Sequence, residues 1–310
     1  MRAANRSVIL SILSFTAASA AQINPAAGDA PRAVVTADAE PAQPESAGPT
    51  SSPNEGSAWT LELHPCVWYM GMSGDVKLPR SGGNSSSVDL RDLDLNSPRI
   101  APFGEATLRH GKWMVGFRGF AFSTEQDATP GITSNLGNIE LSPGSTVRSS
   151  LDLAAVEVEG GYTLFLVERS PLDSGGFKLR TRLDAVAGVR LMSFEFDTVS
   201  LSGPGGDPTG QAHSADEFTA MPLVGARVTA DFYEDFSIIL EITAGGQPFG
   251  DDWSYGFDII VGGQWRPIRH VGAQIGYRAL FLGLASGSGD DEFEFTGAAQ
   301  GLYAGVTFDF

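Results

Sequence analysis

The chain has 310 residues with 37 acidic and 20 basic side chains, a formal net charge of -17, so it lacks the basic footprint that a nucleic-acid binder needs. A single cysteine, Cys66, excludes an intramolecular disulfide, a Cys-rich zinc cluster and a CxxC redox pair. With 38 glycines, 10% aromatics and only 18% charged residues, the composition fits neither a coiled coil nor an acidic disordered tail.

Arg2 and Arg6 form a positive stretch before the apolar run Val8 to Phe15, and Ala18-Ser19-Ala20 meets the small-residue rule for cleavage before Ala21. Residues 1–20 therefore read as an export signal, the run being too short for the roughly 20 residues a spanning helix needs. Residues 21–56, rich in Ala, Pro, Ser, Asp and Glu, have no hydrophobic period and read as a disordered periplasmic linker. Residues 57–310 are expected to form a β-barrel.

From Trp59 onward apolar residues recur every second position. Leu302, Ala304, Val306, Phe308 and Phe310 share one face, and Val271, Ala273, Ile275, Tyr277, Ala279 and Phe281 another. Segments near 59–71, 99–109, 113–123, 151–166, 179–196, 217–232, 236–249, 254–265, 271–282 and 295–310 repeat the pattern. Most have 11 or more residues, the length a tilted strand needs to cross a bilayer rather than the 5–6 usual in soluble sheets.

Long polar connections at 72–98, 124–150, 197–216 and 283–294 alternate with tight ones at 110–112, 233–235 and 266–270. Residues 167–178 form a longer periplasmic turn and 250–253 a short outer loop. The prediction is a transmembrane antiparallel up-and-down β-barrel of ten strands, with eight as the alternative, its short turns periplasmic and its long loops outside. Trp59, Trp68, Tyr69, Trp113, Trp253, Tyr255, Trp265, Phe308 and Phe310 sit at strand ends and are expected to form the interfacial girdle.

Keeping each strand's phase turns Glu62, Glu105, Arg118, Glu157, Glu159, Arg182, Asp184, Arg190, Arg227, Glu241 and Arg278 toward the lumen. Acids and bases nearly balance, and isolated charges in a narrow interior are costly, so they are expected to pair into an ionic plug. The competing expectation is a narrow polar conduit for small solutes.

The segment Trp59 to Val76 (WTLELHPCVWYMGMSGDV) resembles the opening strand of a broad group of bacterial outer-membrane β-barrel proteins, many of unassigned function. Arg109 to Trp113 is similar to the group's hairpin motif, and Pro222 to Arg227 and Ile275 to Arg278 are similar to its later strands. Leu302 to Phe310 is similar to the signal read by the barrel-assembly machinery, which makes Phe308 and Phe310 the expected assembly signal. Cys66 departs from the pattern, which has an aromatic there. The resemblance implies the outer membrane of a diderm bacterium, with membrane lipids, lipopolysaccharide and the assembly machinery as partners, and no particular ligand.

His213-Ser214-Ala215-Asp216 holds the residue types of a hydrolytic triad in the third outer loop, but sequence neighbours do not converge as a triad must. His64 is expected in the lumen and His110 and His270 in periplasmic turns, without metal-ligand spacing. Asp251-Asp252 and Asp290-Asp291-Glu292 with Glu294 read as solvated acidic loops, and no phosphate or dinucleotide fingerprint occurs. No catalytic residue, metal or cofactor is predicted. The expected role is structural or surface-interacting, with a porin-like channel as the alternative and a barrel enzyme third.

Overall fold

Alternation of the kind seen from Trp59 onward leaves a strand with two unlike faces, and a ring of such strands buries one of them without exposing a sheet edge. The computed structural model describes residues 58–80, 86–169, 179–203, 205–233, 235–249, 252–268, 270–289 and 292–310. The predicted leader and linker, along with Asp251, Asp290 and Asp291, lie outside the described residues. The long strands are β1 (Trp59–Lys77), β3 (Arg99–His110), β4 (Trp113–Ala128), β7 (Thr146–Arg169), β8 (Leu179–Ser202), β9 (Ala212–Phe232), β10 (Phe236–Phe249), β11 (Asp252–Ile268), β12 (Val271–Ser286) and β13 (Phe293–Asp309). Each pairs antiparallel with its neighbours in sequence, and β13 closes on β1, giving an up-and-down barrel of ten strands. The eight-stranded alternative is thereby set aside.

The stagger of the ring follows from the pairing register. A row of partners leaving β1 at Trp59 passes through His110, Trp113, Tyr162, Ala185, Ala226, Ile242, Ile259, Ala279 and Gln300 and returns to β1 at Gly71. That offset is consistent with strands inclined by about 35–45° to the barrel axis. Glycine permits the close backbone approach at the closing seam. A Cβ on Gly297, Gly301 or Gly305 of β13 would collide with the backbone oxygen of Ser73, Tyr69 or Pro65 on β1. At the β3–β4 turn, Gly111 takes φ +58, which a side chain would disfavour.

The strands run past the predicted limits, mostly at the end away from the short turns. β1 continues to Lys77, β4 to Ala128 and β8 to Ser202, while β7 begins at Thr146 and β9 at Ala212. The connections predicted as polar loops also hold structure. A short β2 (Val88–Asp89) pairs with β1 and leads into a 3-10 turn at Leu90–Leu93, and β5 (Ser134–Leu136) and β6 (Ile139–Leu141) form a hairpin. Their buried residues Val88, Leu90, Leu93, Leu95, Leu136, Ile139 and Leu141 belong to the core. Most of these apolar residues stand singly among polar ones, so the segments read as loops by composition although they cover one end of the barrel.

Candidate functional site: the filled lumen

Parity assigns every lumen charge named from the sequence to the inner face, and the structure gives them partners in layers. Nearest the short turns, Asp184 accepts from Arg109 Nη2 at 2.8 Å and from Thr163 Oγ1 at 2.6 Å, and Arg182 Nε lies 3.5 Å from it. His64 Nε2 lies 3.6 Å from Glu62, and the other ring nitrogen, Nδ1, meets Gln264 at 3.3 Å. Cys66, also turned inward, accepts from Gln274 at 2.7 Å.

The next layer is a continuous ion-pair network. Arg227 donates to Glu241 at 2.6 Å, Glu159 at 2.7 Å and Glu105 at 3.0 Å. Arg118 reaches Glu241 at 2.8 Å and Glu157 at 3.4 Å. Arg190 bridges Glu157 at 2.7 Å and Asp258 at 3.0 Å, and Arg278 donates to Asp258 at 2.6 Å. Glu157, Glu159 and Glu241 bring oxygens within 4.8 Å of one another, the one grouping among the described residues that could hold a metal ion. Their charge is already met by Arg118, Arg190 and Arg227, which makes the trio the centre of an ionic lattice. An unpaired carboxylate in such an interior would carry most of its desolvation cost.

Above the network the inner face turns apolar on strand after strand. β4 changes from Arg118 to Phe120 and Phe122, β8 from Arg190 to Met192, Phe194 and Phe196, and β12 from Arg278 to Leu280, Leu282 and Leu284. Arg278 marks the join. Its guanidinium lies over the rings of Trp68, Phe120 and Phe103 at 5.0, 5.1 and 5.2 Å, so its charge is met by aromatic faces and by Asp258 together. Higher still, Phe194 packs on Phe295 with ring centroids 4.6 Å apart, and the buried loop leucines belong to the same apolar core.

The outer face changes polarity in the opposite sense. Along β4 it reads Trp113, Val115, Phe117, Gly119 and Ala121, then Ser123, Glu125 and Asp127. Along β7, Asp152 and Ser150 follow Val158, Val156 and Ala154, and along β8, Ser193, Glu195 and Asp197 follow Val189 and Leu191. On β4, β7 and β8 the lower part is therefore apolar outside and polar within, and the upper part is polar outside and apolar within, the arrangement of a protein in water. β10 and β11 do not switch, keeping Thr243 and Ser254 buried inside and Tyr255 and Phe257 exposed outside.

Several expectations are corrected by this geometry. Trp68 does not join the girdle. It is wholly buried in the lumen, because its neighbour Tyr69 takes the outward position and adjacent strand residues face opposite ways. Residues 213–216 lie in strand β9 rather than a loop, so His213 and Asp216 point to opposite faces and cannot converge. Arg169, assigned to a turn, is the last residue of β7. Glu292 of the predicted solvated acidic loop pairs with Lys77. Inward charges outside the expected set include Asp258 and Arg109, and strand parity would have found both, because each is the immediate neighbour of an outward residue, Asp258 of Phe257 and Arg109 of Leu108.

No protein-family model matches the chain, and no curated protein does. Among solved structures it is similar to the outer membrane protease OmpT from Escherichia coli, at 12% identity over 83% of this chain and 99% of that one, with a TM-score of 0.48. It is also similar to Neisserial surface protein A, at 12% identity over 81% and 97% with a TM-score of 0.30. The Pseudomonas putida toluene transporter TodX aligns at 10% identity over 83% and 89%, with a TM-score of 0.26.

Proposed function

We propose that this chain is an integral outer-membrane β-barrel with a sealed lumen, serving a structural or surface-interaction role rather than catalysis or transport. The reading rests on one observation above others: the interior is filled in two successive layers, an ion-pair lattice and then an apolar core. A solute path would need a water-filled gap through both, and a catalytic group would need access to substrate. The membrane part of the reading draws on the outward belt of Trp59, Trp113, Trp265 and Phe310 at one level and Tyr69, Tyr255 and Phe257 at another, with exposed aliphatic residues between them.

Refolding into phospholipid vesicles tests the proposal. The protein is expected to float with the vesicles, to resist extraction at alkaline pH, and to leave them osmotically tight to pentoses. Vesicles that swell in pentose solution would favour the porin-like channel, and recovery of the protein in the alkaline wash would refute the membrane reading.

A further inference from the structure

The ion-pair lattice of the lumen is a closed set whose charges do not balance. Glu105 of β3, Glu157 and Glu159 of β7, Glu241 of β10 and Asp258 of β11 meet Arg118 of β4, Arg190 of β8, Arg227 of β9 and Arg278 of β12. Among the described residues these groups form ion pairs only with one another. Five carboxylates thus share four guanidiniums, and one negative charge is left over. Apart from Glu105, at 19% exposure, every member is almost wholly buried, so water does not disperse the excess.

Hydrogen bonding locates that charge. Glu241 accepts on both oxygens, from Arg118 at 2.8 Å and from Arg227 at 2.6 Å. Glu157 accepts twice from Arg190 on Oε2 and once from Arg118 on Oε1, and both oxygens of Asp258 accept from Arg278. Glu159 is served differently. Its Oε1 accepts from Arg227 at 2.7 Å, while Arg118 stays 4.0 Å away. Its Oε2 is buried with no hydrogen-bond partner among the described residues. An ionised carboxylate with one bare buried oxygen, beside the like charges of Glu157 and Glu241, is strongly disfavoured, and a neutral carboxyl there costs far less.

We propose that Glu159 is a proton-binding site, holding a proton on its carboxyl at neutral pH and so bringing the lattice to equal numbers of each sign. Loss of that proton returns an unmatched charge to the middle of the lumen, which ties the stability of the barrel to pH. The inference goes beyond the sealed-lumen reading and stands on the lattice geometry alone.

The test is urea unfolding of the refolded barrel between about pH 5.5 and 9. An unfolded glutamate ionises near about pH 4.3, so over this range the folded chain carries the extra proton. Stability then falls as pH rises, the unfolding constant growing about tenfold per pH unit until Glu159 ionises. His64 titrates over the same range, so the decisive comparison is between the wild type and Glu159→Gln, which copies the protonated form. That variant should match the wild-type midpoint at the acidic end and lose the one-proton slope. Glu241→Gln, which takes a charged acceptor from both Arg118 and Arg227, should lower the midpoint throughout. If Glu159→Gln keeps the wild-type slope, or falls at the acidic end as far as Glu241→Gln, the proposal is overturned. Should the variant not fold, carbon-13 NMR of the wild type labelled at the glutamate carboxyls decides. A glutamate still protonated at neutral pH supports the site, and a spectrum with every glutamate ionised overturns it.

Discussion

Three carboxylates converge on Arg227, from β3, β7 and β10, so one guanidinium ties together strands far apart in sequence. Removing it leaves Glu105, Glu159 and Glu241 with Arg118 alone. Breaking a buried pair costs about 3–5 kcal/mol. Arg227→Ala should therefore lower the urea midpoint of the refolded barrel well below that of Arg169→Ala, whose side chain is exposed at the end of β7. Equal midpoints would mean that water screens the lumen charges and that the lattice contributes little.

His213 offers a second residue-level test, at the outer end of β9 beneath the β5–β6 turn. Burial pushes its pKa below the ordinary value of 6.5, and its Nε2 has no hydrogen-bond partner among the described residues. A base with a lowered folded value favours the neutral form. Its contribution to stability is thus complete above pH 6.5 and is lost as pH falls through the folded value. NMR titration of the imidazole should give a midpoint under 6.5, and a midpoint above it would contradict the burial.

At the scale of elements, the existence of the strands was legible because period-two alternation is a direct image of the pleat. Their upper halves were not. The outer ends of β4, β7 and β8 alternate as strictly as the lower ends, but with polar and apolar faces exchanged. A reading tuned to apolar-outside strands ends at Ser123 on β4, Leu151 on β7 and Phe196 on β8, within a few residues of the exchange, and assigns the remainder to loops. Phe194→Ala should destabilise the upper layer by about 3–5 kcal/mol through the cavity left beside Phe293 and Phe295. Amide hydrogen exchange should locate that loss above the ion-pair lattice, and a uniform loss over all strands would contradict two separable layers.

The seam is the other element-level feature. Leu61 and Phe310 exchange backbone hydrogen bonds of 3.1 and 2.9 Å, the last rung between β1 and β13. Deleting Phe310 should reduce the fraction of heat-modifiable, folded barrel on gels, whereas Phe310→Leu keeps both backbone bonds and should fold as the parent does. If deletion and substitution fold equally well, closure does not depend on that rung.

For the whole molecule, ten strands with a broad stagger enclose enough space for a narrow channel, and the side chains decide whether it exists. Sequence phase alone supplied the inward set from Glu62 to Arg278. It could not say which acid meets which base, because Arg118 and Glu241, or Arg190 and Asp258, are brought together only by closure of the ring. Nor could it show that leucines from two loops complete the core, since their burial depends on where those loops land. Single-channel recording of the refolded wild type in a planar bilayer tests the sealed lumen most directly. With fully inserted protein the bilayer should stay silent, and reproducible unitary conductance steps from the wild type would show an open lumen.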